Sequence, residues 1–258
     1  MDVRLHCLGT TGYHPSPKRH TACYYLPDWQ LMLDAGTGLF RLTKLLLEEP
    51  QEKITILLSH AHLDHVVGLT FLLDTLAVTS LKEIVVVGME DKLRAIQKHL
   101  YHENLFPVPP AFHFQALTSP EGQLVLEQDQ ATLSIHWFPV DHPGGATAFR
   151  ISSGAKTLAY VTDTTARPDA AYVQNIYDVD ALLHECYFSD SHKELAEKTG
   201  HSWISAVLEV ASISRAKKTA LIHINPLAEI LNQTTDIESA LAATKNIFVA
   251  EDEDLLLF

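Results

Sequence analysis

Ile54–Leu58 is a run apolar at every position but Thr55, and it stops on Ser59-His60-Ala61-His62-Leu63-Asp64-His65. A run of that length suits a strand buried on both faces. Four imidazole or carboxylate groups in the six residues 60–65 then fall at the strand's C-terminal end, where α/β sheets present their chemistry. Imidazole and carboxylate donors suit zinc, manganese or iron without any help from cysteine. In an extended turn His60 and His62 can face one ion while Asp64 and His65 face another. A polar surface loop seldom combines this density of histidine with this position.

The composition agrees with an enzyme of that kind. Fifteen of the 258 residues are histidine, and Lys+Arg (19) fall short of Asp+Glu (32), a net charge of −13. That balance argues against a nonspecific grip on nucleic acid, but a metal-lined site brings its own positive charge. No apolar run approaches the ~18 residues of a membrane span. The opening MDVRLHCLG lacks the layout of a secretory signal. Cys7, Cys23 and Cys186 form no CxxC pair, which disfavours a disulfide framework or a cysteine-built metal site. A cytoplasmic enzyme without a membrane partner is the expectation.

Strands are expected at Val3–Leu8, Thr21–Leu26, Gln30–Leu33, Ile54–Leu58 and Ile84–Val87. Helices are expected at Thr37–Glu48, Val66–Ala77 and Glu90–Leu100. Tyr101–Pro120, rich in proline and aromatics, reads as a loop. Strands then crowd together at Gln123–Glu127, Ala131–Pro139, Ala146–Ser152 and Lys156–Val161. Helix Asp169–Ile176, strand Ala181–Glu185, helix Trp203–Arg215, strand Thr219–Ile224, a short helix Leu227–Leu231 and closing strands Ile247–Ala250 and Leu255–Phe258 complete the pattern. With no linker or repeat, residues 1–258 read as one domain of two similar halves, two sheets packed together with helices outside.

Further candidates recur at strand ends: His142 in Val140-Asp141-His142-Pro143, Asp163 in Val161-Thr162-Asp163-Thr164, and His223 in Leu221-Ile222-His223-Ile224. Each alone is weak, since a single strand histidine is ordinarily a hydrogen-bonded core residue and an acid before Thr is ordinarily a turn. Their joint occurrence with HAHLDH strengthens them.

At that point the chain resembles the metallo-β-lactamase fold superfamily, in its branch of binuclear metallohydrolases. The HxHxDH segment and the later His, Asp and His carry the likeness. LHCLGTTGYHPSPKRHTACYYL, LMLDAGTG, LLHECYF and GHSWISAVLEVASISRAKKTALIHINP resemble the RNase Z-like members, whereas HPGGATAFRI looks more like small hydrolases and phosphodiesterases of the branch. The resemblance implies an αββα four-layer sandwich. It implies His60, His62 and His142 on one divalent ion, Asp64, His65 and His223 on a second, and Asp163 bridging them. Zinc is the first choice of metal. Asp34 would accept hydrogen bonds that orient a ligand histidine, although a turn before Gly36 explains it equally well. His184 would serve the leaving oxygen with Glu185 fixing its tautomer, and Asp64 would orient the nucleophile. Cys186 and Tyr187 stand where the family usually has Ala-Thr. His201 is expected to be structural, ahead of a Ser202 cap on the next helix.

The implied reaction is hydrolysis through a hydroxide shared by the two ions, with a small or nucleotide-like phosphodiester as substrate. Transfer-RNA processing is less favoured, because members that perform it carry a protruding arm and the stretch from His142 to Asp163 is too short to hold one. An RNase Z-type ribonuclease, a lactone, thioester or other ester hydrolase, and a non-catalytic metal-binding protein remain alternatives. An iron and flavin oxidoreductase is disfavoured, since those members usually carry Glu where His62 stands. Family members are often homodimers. Tyr101, Phe106, Phe112 and Phe114 could stack a base, although packing the loop onto the domain is the commoner role for such residues.

Overall fold

β4 (Lys53–Leu57) is buried on both faces, as its apolar run requires: Ile54 and Ile56 pack toward helices and Leu57 toward a second sheet. In this computed structural model, which describes residues 2–110, 112–228, 230–231 and 233–258, the neighbours of β4 are β3 (Leu31–Leu33) and β5 (Glu83–Met89), both parallel to it. β1 (Arg4–Gly9), β2 (Cys23–Leu26), β6 (His113–Leu117) and β14 (Leu255–Leu257) complete a seven-stranded sheet of order β14-β1-β2-β3-β4-β5-β6. The second sheet has β7 (Gly122–Glu127), β8 (Thr132–Val140), β9 (Ala146–Ser153), β10 (Lys156–Val161), β11 (Ala181–Glu185), β12 (Lys218–Ile222) and β13 (Ile247–Val249), in the order β13-β12-β11-β10-β9-β8-β7. Each sheet is antiparallel along one side and parallel along the other. The two halves are thus alike.

Three apolar layers hold this arrangement. Leu5, Leu26 and Leu57 of the first sheet meet Ile135, Phe149, Leu183 and Ile222 of the second. Outside the first sheet, Leu39, Leu42, Leu69, Leu72 and Leu93 come from helical segments within residues 37–48, 63–78 and 90–100. Outside the second, Val173, Val207, Val210 and Ile237 come from helices Tyr172–Asn175, Ile204–Ser214 and Gln233–Leu241. The result is an αββα sandwich. Among the described residues no helix is long and apolar enough to cross a membrane.

Several expectations need correction. The stretch 101–120 is not all loop, since it contains β6, a mostly exposed strand on the sheet edge whose side chains lack apolar alternation. Two helices went unanticipated. Lys193–Thr199 buries only Ala196, and Gln233–Leu241 fully buries only Gln233 and Ile237, with Ala240 and Leu241 partly buried beside them, so the apolar stripe of each is too short to stand out. The helix expected at Asp169–Ile176 shrinks to Tyr172–Asn175. Of the helix expected at Leu227–Leu231, the described residues lie in turns and residue 229 lies outside them.

A close backbone approach joins this scaffold to the loop after β4. Gly68 donates its N–H to the Ala35 carbonyl at 2.8 Å, and a Cβ there would run into the Gly36 carbonyl oxygen. Gly68→Ala should therefore cost about 1–3 kcal/mol. In a chain of this size that lowers the melting temperature by roughly 2–4 °C per kcal/mol, which differential scanning calorimetry would detect. An unchanged transition would contradict the packing.

Candidate metal centre

The candidate ligands follow strand ends on one rim of the sandwich. His60, His62, Asp64 and His65 follow β4, His142 follows β8, Asp163 follows β10 and His223 follows β12. Asp34, for its part, follows β3. Asp34, Asp163 and His223 adopt left-handed backbone conformations, with φ of 55°, 47° and 53°. Such conformations turn the chain out of a strand within one residue, at a cost of about 1–3 kcal/mol each. Three in one site mark a place where geometry is imposed at the expense of stability.

The side chains converge in two groups. His60, His62, His142 and Asp163 form one, and Asp64, His65 and His223 form another. Asp163 faces both. Its Oδ2 lies 3.6 Å from His60 Nε2 and 3.6 Å from His142 Nε2, whereas its Oδ1 lies 3.2 Å from His65 Nε2 and 3.3 Å from His223 Nε2. In the second group Asp64 Oδ2 is 3.4 Å from both His65 Nε2 and His223 Nε2.

For three of the histidines the outward-facing nitrogen is already committed. Asp34 accepts from Ser59 N at 2.7 Å, Ser59 Oγ at 2.7 Å, His65 Nδ1 at 2.7 Å and Tyr160 OH at 2.6 Å. Because the Ser59 hydroxyl donates to Asp34, its oxygen accepts the Nδ1 proton of His60 at 3.0 Å. The Gly200 carbonyl accepts from His142 Nδ1 at 3.0 Å. These bonds aim the Nε2 lone pairs of His60, His65 and His142 inward. His60 Nε2 is buried with no hydrogen-bond partner. A buried acceptor with nothing to accept fits a cation there, and the donor set suits a hard or borderline divalent ion.

Burial, then the neighbouring His65, holds the His60 imidazole well below its ordinary pKa. Burial and His142 lower that of His62 as well. Both rings are thereby kept neutral, the form that ligates. Burial works to raise the two carboxylates, yet His65 and His223 hold Asp64 well below the carboxylate range. Asp163 is likewise held well below that range by His223, His65 and His60. Gly12 packs so closely beneath His223 that a Cβ would strike the ring.

His184 is not brought to this cluster. On β11, Ala181 and Leu183 face the layer between the sheets, whereas Leu182, and Cys186 just past the strand's end, face the outer helices. Strand alternation sends His184 with the latter. Its Nδ1 donates to the Glu185 carbonyl at 2.8 Å, and its Nε2 accepts from Tyr172 OH at 3.0 Å. Glu185 takes the opposite face but does not set the His184 tautomer. Its Oε1 accepts from Thr164 N and from His201 Nδ1 at 3.2 Å, and its Oε2 from Ser202 N at 3.1 Å.

His201, expected to be structural, stands in the place foreseen for His184. It groups with Asp163 and His223, stacks on Tyr187 at 4.6 Å, and lines the cavity of about 470 Å³ over the cluster. Burial lowers its pKa, but Glu185, joined by Asp163 and Asp64, outweighs it and holds His201 at about 9. Ser202 does not cap helix Ile204–Ser214. Its hydroxyl bonds the Thr164 carbonyl at 2.6 Å, tying the His201 turn to the loop after Asp163. The Gly-His-Ser step before an apolar helix was the signal, masked by its likeness to a cap. The aromatics of the 101–114 stretch pack on one another, the commoner role for such residues: Tyr101 against Phe106 (5.4 Å) and Phe112 (5.7 Å), and Phe112 against Phe114 (5.2 Å). A larger, mostly apolar cleft of about 670 Å³, lined by Ile224, Ile237 and Phe248, contains none of the converging ligand side chains.

Residues 29–224 match a family model described as the beta-lactamase superfamily domain. The chain is 27% identical over 288 residues to a protein named ribonuclease Z from Pyrobaculum calidifontis, covering 99% of this chain and 98% of that one. It is 24% identical to another so named from Methanosarcina acetivorans, covering 97% and 96%. Among solved structures, the metallo-beta-lactamase fold protein YhfI from Bacillus subtilis superposes with a TM-score of 0.79 at 21% identity over all of both chains. The short form of human tRNase Z gives 0.73 at 20% identity over 98% of each chain. The chain therefore belongs to the beta-lactamase superfamily domain family and has the metallo-β-lactamase fold.

Proposed function

We propose that the protein is a metal-dependent phosphodiesterase acting on a small or nucleotide-like phosphodiester. The observation that carries this is the single Asp163 carboxylate shared between two His/Asp ligand groups, with His201, anchored from behind by Glu185, on the same cavity. His60, His62, His142 and Asp163 Oδ2 would hold one divalent ion, and Asp64, His65, His223 and Asp163 Oδ1 the other, zinc being the first choice. When bound, the ions would supply Lewis acidity to the phosphoryl group and to the attacking water. The relatives named ribonuclease Z, aligned over nearly the whole chain, support phosphodiester chemistry over lactone or thioester hydrolysis.

The chain's own residues do the rest. Asp34 and Gly200 fix the tautomers of His65 and His142. Asp64, held ionised, accepts a hydrogen bond from the Tyr13 amide at 2.7 Å and is placed to orient the attacking water. Glu185 anchors His201 Nδ1, which leaves His201 Nε2 for the proton that the departing oxygen requires. Burial of His184 behind Tyr172 removes it from that role. A small substrate is favoured over transfer RNA because β9 and β10 fill the stretch between His142 and Asp163 as a plain hairpin. The ribonuclease reading keeps one supporting observation, the name and coverage of the relatives.

Purified metal-loaded protein should hydrolyse bis(p-nitrophenyl) phosphate, and both a chelator and Asp163→Ala should abolish turnover. A lactone, a thioester and a precursor transfer RNA belong in the same assay. Turnover of the lactone or thioester alone would overturn the phosphodiester assignment, and preference for the RNA would overturn the small substrate.

The proton donor is tested separately. His201→Ala should lower kcat by about 10²–10⁴-fold with an alkoxide leaving group and much less with p-nitrophenolate, which needs no proton. His184→Phe should keep kcat near wild type while losing about 1–3 kcal/mol of stability through its unpaired Tyr172 partner. The reverse ranking of the two variants would reinstate His184.

A further inference from the structure

Tyr13 is built at a conformation that favours glycine. It sits at φ 61° in the middle of a three-residue turn closed by His14 N donating to Gly12 O at 2.8 Å. Positive φ at the centre of such a turn is the strained form for a residue with a side chain. The backbone is held there from both flanks. Thr11 bridges Thr21 and Ile224, Gly12 N donates to Ile224 O at 3.2 Å, and Tyr13 N donates to Asp64 Oδ2. The site thus requires the turn, and any residue's amide would satisfy it.

The ring is what the site does not account for. Tyr13 is 75% exposed, and among the described aromatic rings it meets only His14, at 5.3 Å. No packing offsets the strain or the exposure of a large aromatic surface. Tyr13 lines the same cavity as Asp64, His142, Asp163 and His201. Leu63, 69% exposed, lines it too. A strained conformation with no structural return points to a functional demand on the side chain.

We propose that Tyr13 is a stacking platform for a planar aromatic group beside the reacting phosphate, the chemistry of a nucleobase, with Leu63 adding apolar contact. A tyrosine face accepts any base, so the platform selects nucleotides as a class and not one sequence. The aromatic cluster around Tyr101 cannot serve, because its rings are spent on one another. The inference deepens the phosphodiesterase reading and rests on it only for the phosphate.

The test is calorimetric binding to the metal-loaded protein of adenosine 5′-monophosphate, ribose 5-phosphate and adenosine, with Tyr13→Gly and Tyr13→Phe variants. Wild type should bind the nucleotide about tenfold tighter than the sugar phosphate. Tyr13→Phe should keep that ratio. Tyr13→Gly should bring it close to one, with a melting temperature no lower than wild type because glycine relieves the turn. Equal binding of the two phosphates by wild type, or an undiminished ratio in Tyr13→Gly, overturns the platform. So does a changed oligomeric state with the ratio intact, which would assign the ring to contact with a second copy. If neither phosphate binds but adenosine still binds in a Tyr13-dependent manner, the platform stands and the phosphodiester reading falls.

Discussion

One buried carboxylate ties the two sheets and the candidate metal centre together. Asp34 is fully buried and accepts hydrogen bonds from Ser59 N, Ser59 Oγ, His65 Nδ1 and Tyr160 OH. Ser59 begins the ligand loop of the first sheet, and Tyr160 belongs to β10 of the second. An ionised group so deep in protein is costly unless several donors reach it, so its four bonds act as a set. They hold β3, β4 and β10 in register at the rim, and they leave His60 and His65 presenting their Nε2 atoms to the gap. Removing Asp34 would leave four donors without a partner at the place where precision matters most.

The same economy appears at the entrance. Asp252, after β13, accepts from Thr10 N at 2.9 Å, Thr10 Oγ1 at 2.7 Å, His20 N at 2.7 Å and Arg41 Nη1 at 2.6 Å. Thr10 and His20 are the two feet of the loop whose tip carries Gly12 and Tyr13. One acidic side chain from the tail thereby fixes the loop that buttresses His223 and bonds Asp64. Ligand groups that repel one another are kept close by carboxylates outside the cluster, and the left-handed residues Asp34, Asp163 and His223 record the strain of doing so. Stability has been given up locally where a cation would restore it.

Much of this was legible in the residues, for physical reasons. A five-residue run with four apolar side chains can be buried on two faces in only a few ways, and histidine and aspartate packed just beyond it have few uses besides metal. His142, Asp163 and His223 became legible only in combination, since each alone resembles an ordinary strand-end residue. What failed was facing. His184 and Glu185 are adjacent, so they must point to opposite sides of β11, and only one of them could enter the site. His201 lay hidden in a step that reads as a helix cap. The aromatic loop left two roles open, because composition does not distinguish rings that stack on a ligand from rings that stack on each other; the rings pair as the commoner role has it. β6 and helices Lys193–Thr199 and Gln233–Leu241 escaped because their exposed faces carry no apolar period.

The central claim is that one aspartate separates and joins two metal positions. Anomalous difference maps from crystals of the protein grown with zinc, collected on either side of the zinc absorption edge, test it most directly. The account predicts two peaks flanking Asp163, one among His60, His62 and His142 and the other among Asp64, His65 and His223. A single peak, or peaks away from Asp163, would contradict it.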